Sequence, residues 1–237
     1  VFDAVGFFMP KHPLFRPQDV PVIGVDTKLP ARAQSLLSPL ALRDRFASPP
    51  VWVPEWTADP RFNDQKPALA AVLVPIVARA SASVLFTLRA EHLDAHPGQI
   101  SFPGGRHESG DRDLIATALR ETHEEVGLAA HQFEVLGVMP EYTTGTGFVV
   151  TPVVALLQPD YVPQPDPDEV AEVFEVPLEF LMNPANHRHH AIDWMGQRRD
   201  FLSMPWQGEG AYANPREYFI WGATAAMLRN LYQFLGS

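Results

Sequence analysis

Four charged side chains fall within six residues of the chain: Arg120, Glu121, Glu124 and Glu125, in the run Arg-Glu-Thr-His-Glu-Glu-Val-Gly-Leu. Spacings of three and four place the carboxylates on neighbouring turns of a helix, so that they cluster along one arc. Three like charges in the C-terminal half of a helix repel one another and oppose its macrodipole. A compensating cation is therefore expected, and a set of oxygen donors suits Mg²⁺ or Mn²⁺. Arg120, four residues before Glu124, can orient one carboxylate. Upstream, Pro103-Gly104-Gly105 supplies backbone that a phosphate can approach closely. Alone, the acidic patch reads as a solvated helix face. The glycine loop ahead of it turns the reading toward metal–phosphate chemistry.

The helix that carries these groups must start near Asp111 or Asp113, either of which can cap its first amides. Gly127 ends it. At about 100° per residue, Leu114, Ile115, Ala118, Leu119, Thr122 and Val126 gather on the arc that faces a core. Before the loop, Ala68–Ala78 and Val84–Arg89 read as strands, and Gln99–Phe102 as a short strand leading into the glycines. After the helix, Phe133–Pro140, Phe148–Leu157 and Val170–Val176 read as strands, and Pro177–Leu181 as a short helix. Ile192–Trp194 and Phe201–Met204 predict a hairpin across Gly196-Gln197. Ile220–Leu235 predicts a long apolar terminal helix. The proline-rich residues 1–66 contain one helical candidate, Ala31–Phe46, with Leu36, Leu37, Leu40 and Phe46 on a shared face and Pro39 bending or dividing it. This order gives an α+β fold: an N-terminal extension, 1–66, packed on a domain of residues 67–237.

Bulk composition narrows the partners. The 237 residues carry 28 acidic against 18 basic side chains, a formal charge of −10, which argues against a nucleic-acid groove. A phosphorylated substrate remains compatible, because a divalent cation neutralises carboxylate and phosphate together. There is no cysteine, hence neither a disulfide framework nor a zinc-thiolate site. The longest apolar run is broken by Pro75 and is too short for a membrane span. The N-terminal VFDAVGFFMPKHP lacks the basic flank of a secretory signal, which leaves the cytoplasm as the expected compartment.

The central stretch resembles the box of the Nudix hydrolases: Gly, five residues, Glu, seven residues, then Arg-Glu-apolar-x-Glu-Glu-x-Gly-apolar. Arg120–Leu128 matches the second half, with only Thr122 off-type. The first half departs from it. Gly105 lies fifteen residues before Arg120, one more than usual, and the position eight before Arg120 holds Arg112, flanked by Asp111 and Asp113. One carboxylate of the usual set is missing or displaced. The resemblance implies an α/β/α sandwich on a mixed β-sheet, with the box as loop–helix–loop and a C-terminal helix. It implies hydrolysis of a nucleoside diphosphate linked to a group X. Glu121, Glu124, Glu125 and the Gly104 carbonyl would hold one or more Mg²⁺ or Mn²⁺, and Arg120 would position them. Glu121 and Glu125 rank equally as the base, and Glu169 or Glu172 would add a carboxylate from outside the box.

The segment before the box is similar to the extra signature of the coenzyme A pyrophosphatase subfamily, Leu-Leu-Thr-x-Arg-Ser, three residues, Arg, three residues, Gly, three residues, Phe-Pro-Gly-Gly. Here it reads Leu85-Phe86-Thr87-Leu88-Arg89, then Gly98, then Phe102-Pro103-Gly104-Gly105, with Ala90 and Asp94 replacing the serine and second arginine. The resemblance implies substrate contacts from Arg89, Gly98, Phe102, Gly105 and Arg106. It implies coenzyme A or an acyl-CoA as substrate, with 3′,5′-ADP and 4′-phosphopantetheine as products. Asp94, which would repel a phosphate, keeps open ADP-ribose or a dinucleotide. Arg112 in place of glutamate keeps open a non-catalytic nucleotide-binding module. His92, His96 and His107 can add positive charge near Arg89, or are surface loop residues. His187, Arg188, His189 and His190 read as a solvated basic turn. The expected partner is a small nucleotide, not nucleic acid or membrane, and a homodimer is left open.

Overall fold

Two long apolar strands set the layers of the molecule, because alternate side chains on a strand face opposite ways. The computed structural model describes residues 16–59, 66–93, 96–194, 196–209 and 215–237. The N-terminal apolar stretch and Asp94 lie outside the described residues. The chain order is β1 (Val22–Val25), α1 (Pro39–Ala47), β2 (Ala68–Val77), β3 (Ser83–Arg89), β4 (Ile100–Ser101), β5 (Gly104–Arg106) and α2 (Leu114–Val126). There follow β6 (Phe133–Val138), β7 (Tyr142–Thr143), β8 (Phe148–Leu157), β9 (Val170–Pro177), α3 (Leu178–Leu181), β10 (Arg188–Trp194), β11 (Gln197–Glu209), β12 (Pro215–Trp221) and α4 (Gly222–Gly236).

A mixed sheet of eight strands holds β2 and β8 side by side in parallel, from Ala68 opposite Phe148 to Val77 opposite Leu157. Its other pairings are antiparallel, including β9 on β3 and the glycine strand β5 on β2. Ala71, Leu73, Val153 and Ala155 face α2, where they pack on Ala118 with Leu114, Ile115 and Leu119. Ala70, Val74, Ile76, Val154 and Leu156 face the opposite way into a larger core shared with α4. The result is an α/β/α sandwich, as expected. No helix among the described residues is long and apolar enough to cross a membrane.

Several elements differ from the sequence expectations. A second, antiparallel sheet, β1-β10-β11-β12, packs against α4. Its last strand takes Ile220 and Trp221 out of the predicted terminal helix. Buried Tyr218 and Ile220 alternate with less buried neighbours, and Gly222, at φ +61°, breaks the chain direction before α4. The His187–His190 segment is not a solvated turn. It runs into β10, with His187 and His190 buried and His189 paired to Asp26 at 2.8 Å. Pro39 does divide the N-terminal helix: it opens α1 behind the Ser38 cap. Leu37 and Leu42 are the buried residues there, while Leu36 and Leu40 are exposed.

The described part of the N-terminal segment is built into the fold through α4. Arg229 of α4 is only 3% exposed and is paired with Glu55 at 2.6 Å and Asp26 at 2.9 Å. Asn230 accepts the backbone N–H groups of Glu55 and Trp56 and donates to the Trp56 carbonyl. A buried guanidinium left without its carboxylates would be strongly destabilising, so this segment and α4 are energetically one unit.

His187 joins that network in its neutral form. Its Nε2 lies 2.7 Å from the Leu181 carbonyl and its Nδ1 lies 3.1 Å from an Arg229 nitrogen. Burial first, and then the charge of Arg229, push the imidazole down to about 4 against the hydrogen bond it donates to the Leu181 carbonyl. Between that value and the ordinary 6.5 the unfolded chain binds the extra proton, so stability falls as the pH drops through this window. The expected loss is on the order of 3 kcal/mol. Urea denaturation at pH 7 and pH 4.5 checks it: His187→Gln, which can keep both hydrogen bonds but cannot titrate, should show a smaller pH dependence than the native protein. Equal slopes would remove His187 as the cause.

Candidate active site

Close packing against backbone requires glycine at position 104, and at 105 a side chain would displace the Glu121 carboxylate. At Gly104, φ is +152° and a Cβ would lie 2.4 Å from the Ala71 carbonyl oxygen; at Gly105 it would lie 2.5 Å from the Glu121 carboxylate. The predicted loop is in fact the strand β5, which lets its backbone run directly along the carboxylates of α2. The helix is capped by Asp113, which accepts from the Ala116 N–H at 2.8 Å, and ends at Gly127 with φ +70°.

Glu125 is the most enclosed of the three glutamates, its side chain 4% exposed. One oxygen accepts from the Gly104 N–H at 3.2 Å, and the other lies 3.6 Å from Arg89 Nη1. Burial pushes its carboxyl up to about 7, with Glu169 and Glu121 adding like charge against the opposing pull of Gly104 and Arg89. Burial also raises Glu121, which feels Glu124 and Glu169. Glu169 thus lies within electrostatic reach of the pair. Glu172 points elsewhere, accepting from Tyr218 at 2.7 Å and Arg216 at 3.0 Å.

Arg120 organises the box. Its Nη1 reaches Glu121 at 2.9 Å and Glu124 at 2.8 Å, and its Nη2 donates to the Arg106 carbonyl. On the other side, Nε and Nη2 bind the two oxygens of Asp111 at 2.9 and 3.0 Å. Asp111 also accepts from Thr117 Oγ and the Glu108 N–H, and Arg120 holds its carboxyl well below the usual range. Its side chain is 5% exposed, whereas that of Arg112 is 81% exposed. The carboxylate of the usual box is therefore displaced by one residue, not missing: Gly105, five residues, Asp111, and an extra residue before the helix.

A hard divalent cation fits the donor chemistry. The facing groups are carboxylates and backbone oxygens, and Glu121 and Glu125 are raised first by burial and then by neighbouring carboxylates, which a divalent cation would relieve. Among the described residues, no three carboxylate or imidazole side chains already converge on one point.

A cavity of about 510 Å³ opens beside these groups, bordered by Arg89, Gly104, Gly105 and Arg106. Its far wall comes from Phe201 and Trp221 of the second sheet and Met227 of α4. Phe102 borders it, but the residue is 2% exposed and its ring stacks on Phe86 in the core. Gly98, at φ +66°, makes the turn between β3 and β4 and faces an adjoining cavity of about 340 Å³. Asp59, Thr144, Thr146 and Arg199 also line the main cavity without having been singled out in the sequence. Asp59 accepts from the Tyr142 hydroxyl and packs its backbone against Thr143. The polar run Glu141–Gly147 was their one local signal, since pairing between distant segments brings the others in.

The NUDIX domain family model matches residues 67–195, more than half of the chain. The uncharacterized Nudix hydrolase NudL of Enterobacter sp. (strain 638) is 42% identical over 163 residues, covering 68% of this chain and 80% of that protein. The protein of the same name from Salmonella newport is 43% identical over 162 residues, with the same coverage. Among solved structures, a Nudix hydrolase from M. Smegmatis is similar at 26% identity and a TM-score of 0.42, over 49% of this chain and 74% of that one. A C. elegans Ap4A hydrolase is similar at 22% identity and 0.41, over 50% and 85%. The chain belongs to the Nudix family, whose members act on phosphoric anhydride bonds of small nucleotides and need divalent metal ions. It is a hydrolase of pyrophosphate bonds.

The displaced carboxylate separates two substitutions at adjacent positions. Asp111→Asn should free Arg120 and lower kcat by roughly ten- to a hundredfold, the size of a misplaced catalytic constellation. Arg112→Ala should leave both kcat and the melting temperature unchanged. Parallel steady-state assays and thermal melts on the two variants decide the matter, and the reverse ranking would return the role to position 112.

Proposed function

We propose that the chain hydrolyses the diphosphate of coenzyme A or an acyl-CoA, releasing 3′,5′-ADP and 4′-phosphopantetheine, with Mg²⁺ or Mn²⁺ as the ion. One observation carries the reading: Arg89, from the signature ahead of the box, lies beside Glu125 at the edge of a cavity with apolar walls. Ile100, Phe148, Ile192 and Phe201 on those walls suit a largely aliphatic pantetheine arm, while Arg89 and Arg106 suit the diphosphate. The aspartate at position 94 supports a second reading, ADP-ribose or a dinucleotide, as substrate of the same chemistry. Family membership together with Glu121, Glu124 and Glu125 leaves the non-catalytic reading without support.

In this reading Glu121, Glu124 and Glu125 would hold the cation with the Gly104 carbonyl, and Glu169 would supply the outside carboxylate. Its electrostatic reach to Glu121 and Glu125, with Glu172 engaged by Tyr218 and Arg216, supports Glu169 over Glu172. A bound divalent ion polarises the phosphate oxygens and acidifies a coordinated water. The deeper enclosure of Glu125, beside the Gly104 N–H and Arg89, supports its choice over Glu121 as the group that accepts the water proton. The new P–O bond forms in line with the bridging oxygen, which leaves with the second phosphate. Arg89 and Arg106 offset the charge of the diphosphate, and Arg120 keeps the carboxylates in register.

Product analysis over a panel of coenzyme A, ADP-ribose, NADH and dNTPs with Mg²⁺ or Mn²⁺ tests the substrate. Turnover of coenzyme A well above the rest is expected; preference for ADP-ribose or NADH would replace it with the second reading. Glu125→Gln should lower kcat by roughly a hundred- to ten-thousandfold with the fold intact, the range for losing a general base. Full activity in that variant would refute the role of Glu125.

A further inference from the structure

His96 has the only positive φ among the described non-glycine residues, +57°. A side chain in the left-handed region is strained, and such strain persists where the surrounding structure holds it. The turn is held at both ends: the Gly98 N–H donates to the Arg89 carbonyl at 3.2 Å, and the Arg89 N–H to the Gln99 carbonyl at 2.9 Å. Glycine would sit in this conformation without that cost, as Gly98 does two residues later. The residue keeps solvent access, and its ring borders the same cavity as Arg89, Gly104 and Gly105, beside the Gln99 side chain. Burial and the neighbouring Arg89 lower its proton affinity. One ring nitrogen serves Gln99, and among the described residues no second hydrogen bond to the ring is formed. A backbone that tolerates strain to bring an imidazole to the cavity, one side chain away from Glu125, points to a ligand for its other nitrogen.

We propose that His96 is a substrate-contacting residue: anchored by Gln99, its ring reaches the diphosphate-bearing end of the substrate beside Arg89. The proposal rests on diphosphate hydrolysis and not on coenzyme A as the particular substrate. ADP, which carries the diphosphate but no group X, is therefore the probe. With Mg²⁺ present, isothermal titration calorimetry of ADP should show affinity about five- to tenfold weaker for His96→Gly, the size of one lost hydrogen bond. Its melting temperature should stay at or above that of the native protein, because glycine relieves the left-handed strain.

Those opposite movements are what a purely structural histidine would not produce. Native affinity in His96→Gly overturns the proposal, as does an affinity that falls only together with the melting temperature. So does an absence of ADP binding by the native protein. If His96→Gly fails to fold, His96→Asn, which suits the same backbone, is read by the same criteria. Failure of coenzyme A in the substrate panel leaves these outcomes intact.

Discussion

The bidentate contact between Asp111 and Arg120 is the interaction on which the arrangement of the site depends. The guanidinium fork matches a carboxylate in geometry as well as charge. Held on one side by Asp111, it reaches Glu121, Glu124 and the backbone of Arg106 with its remaining hydrogens. One side chain thus ties the strand β5, the loop after it and the helix α2 into one body. It also explains how three glutamates can crowd the C-terminal half of a helix before any cation arrives. The repulsion apparent from their spacing is partly offset by Arg120, while burial, more than that repulsion, raises the carboxyls of Glu121 and Glu125.

The sheet supports this body from below. β5 pairs with β2, and α2 packs on Ala71, Leu73, Val153 and Ala155. The glycines allow the backbone to lie against Glu121 and Ala71 at distances no Cβ would permit. Small residues under the helix and glycines beside it therefore serve one purpose, bringing the backbone of β5 close to the carboxylates of α2. Arg89, at the end of β3, approaches Glu125 from the sheet side.

The other half of the molecule shapes the cavity. β10, β11, β12 and α4 supply its far wall, and part of this wall lies beyond residues 67–195. α4 is in turn clamped to the N-terminal segment through Arg229, Asn230 and Glu55. Residues distant from the box in sequence thereby set the shape of the cavity beside it.

The sequence by itself determined the chemistry of α2. Helical spacing, the caps at Asp113 and Gly127, and the run Arg120–Leu128 are local, so neighbouring residues specify them without help from the rest of the chain. The long strands β2 and β8 were legible for the same reason, as continuous apolar runs. Three things were decided only by tertiary structure. Asp111 replaces the carboxylate expected at position 112, because Arg120 selects among neighbouring residues by side-chain reach and direction, not by count. β12 extends through Trp221, because pairing with β11 overrides an apolar run that reads equally well as helix. Asp59, Arg199 and Trp221 meet at one cavity, because that meeting depends on strand pairings across well over a hundred residues, and no local pattern encodes it.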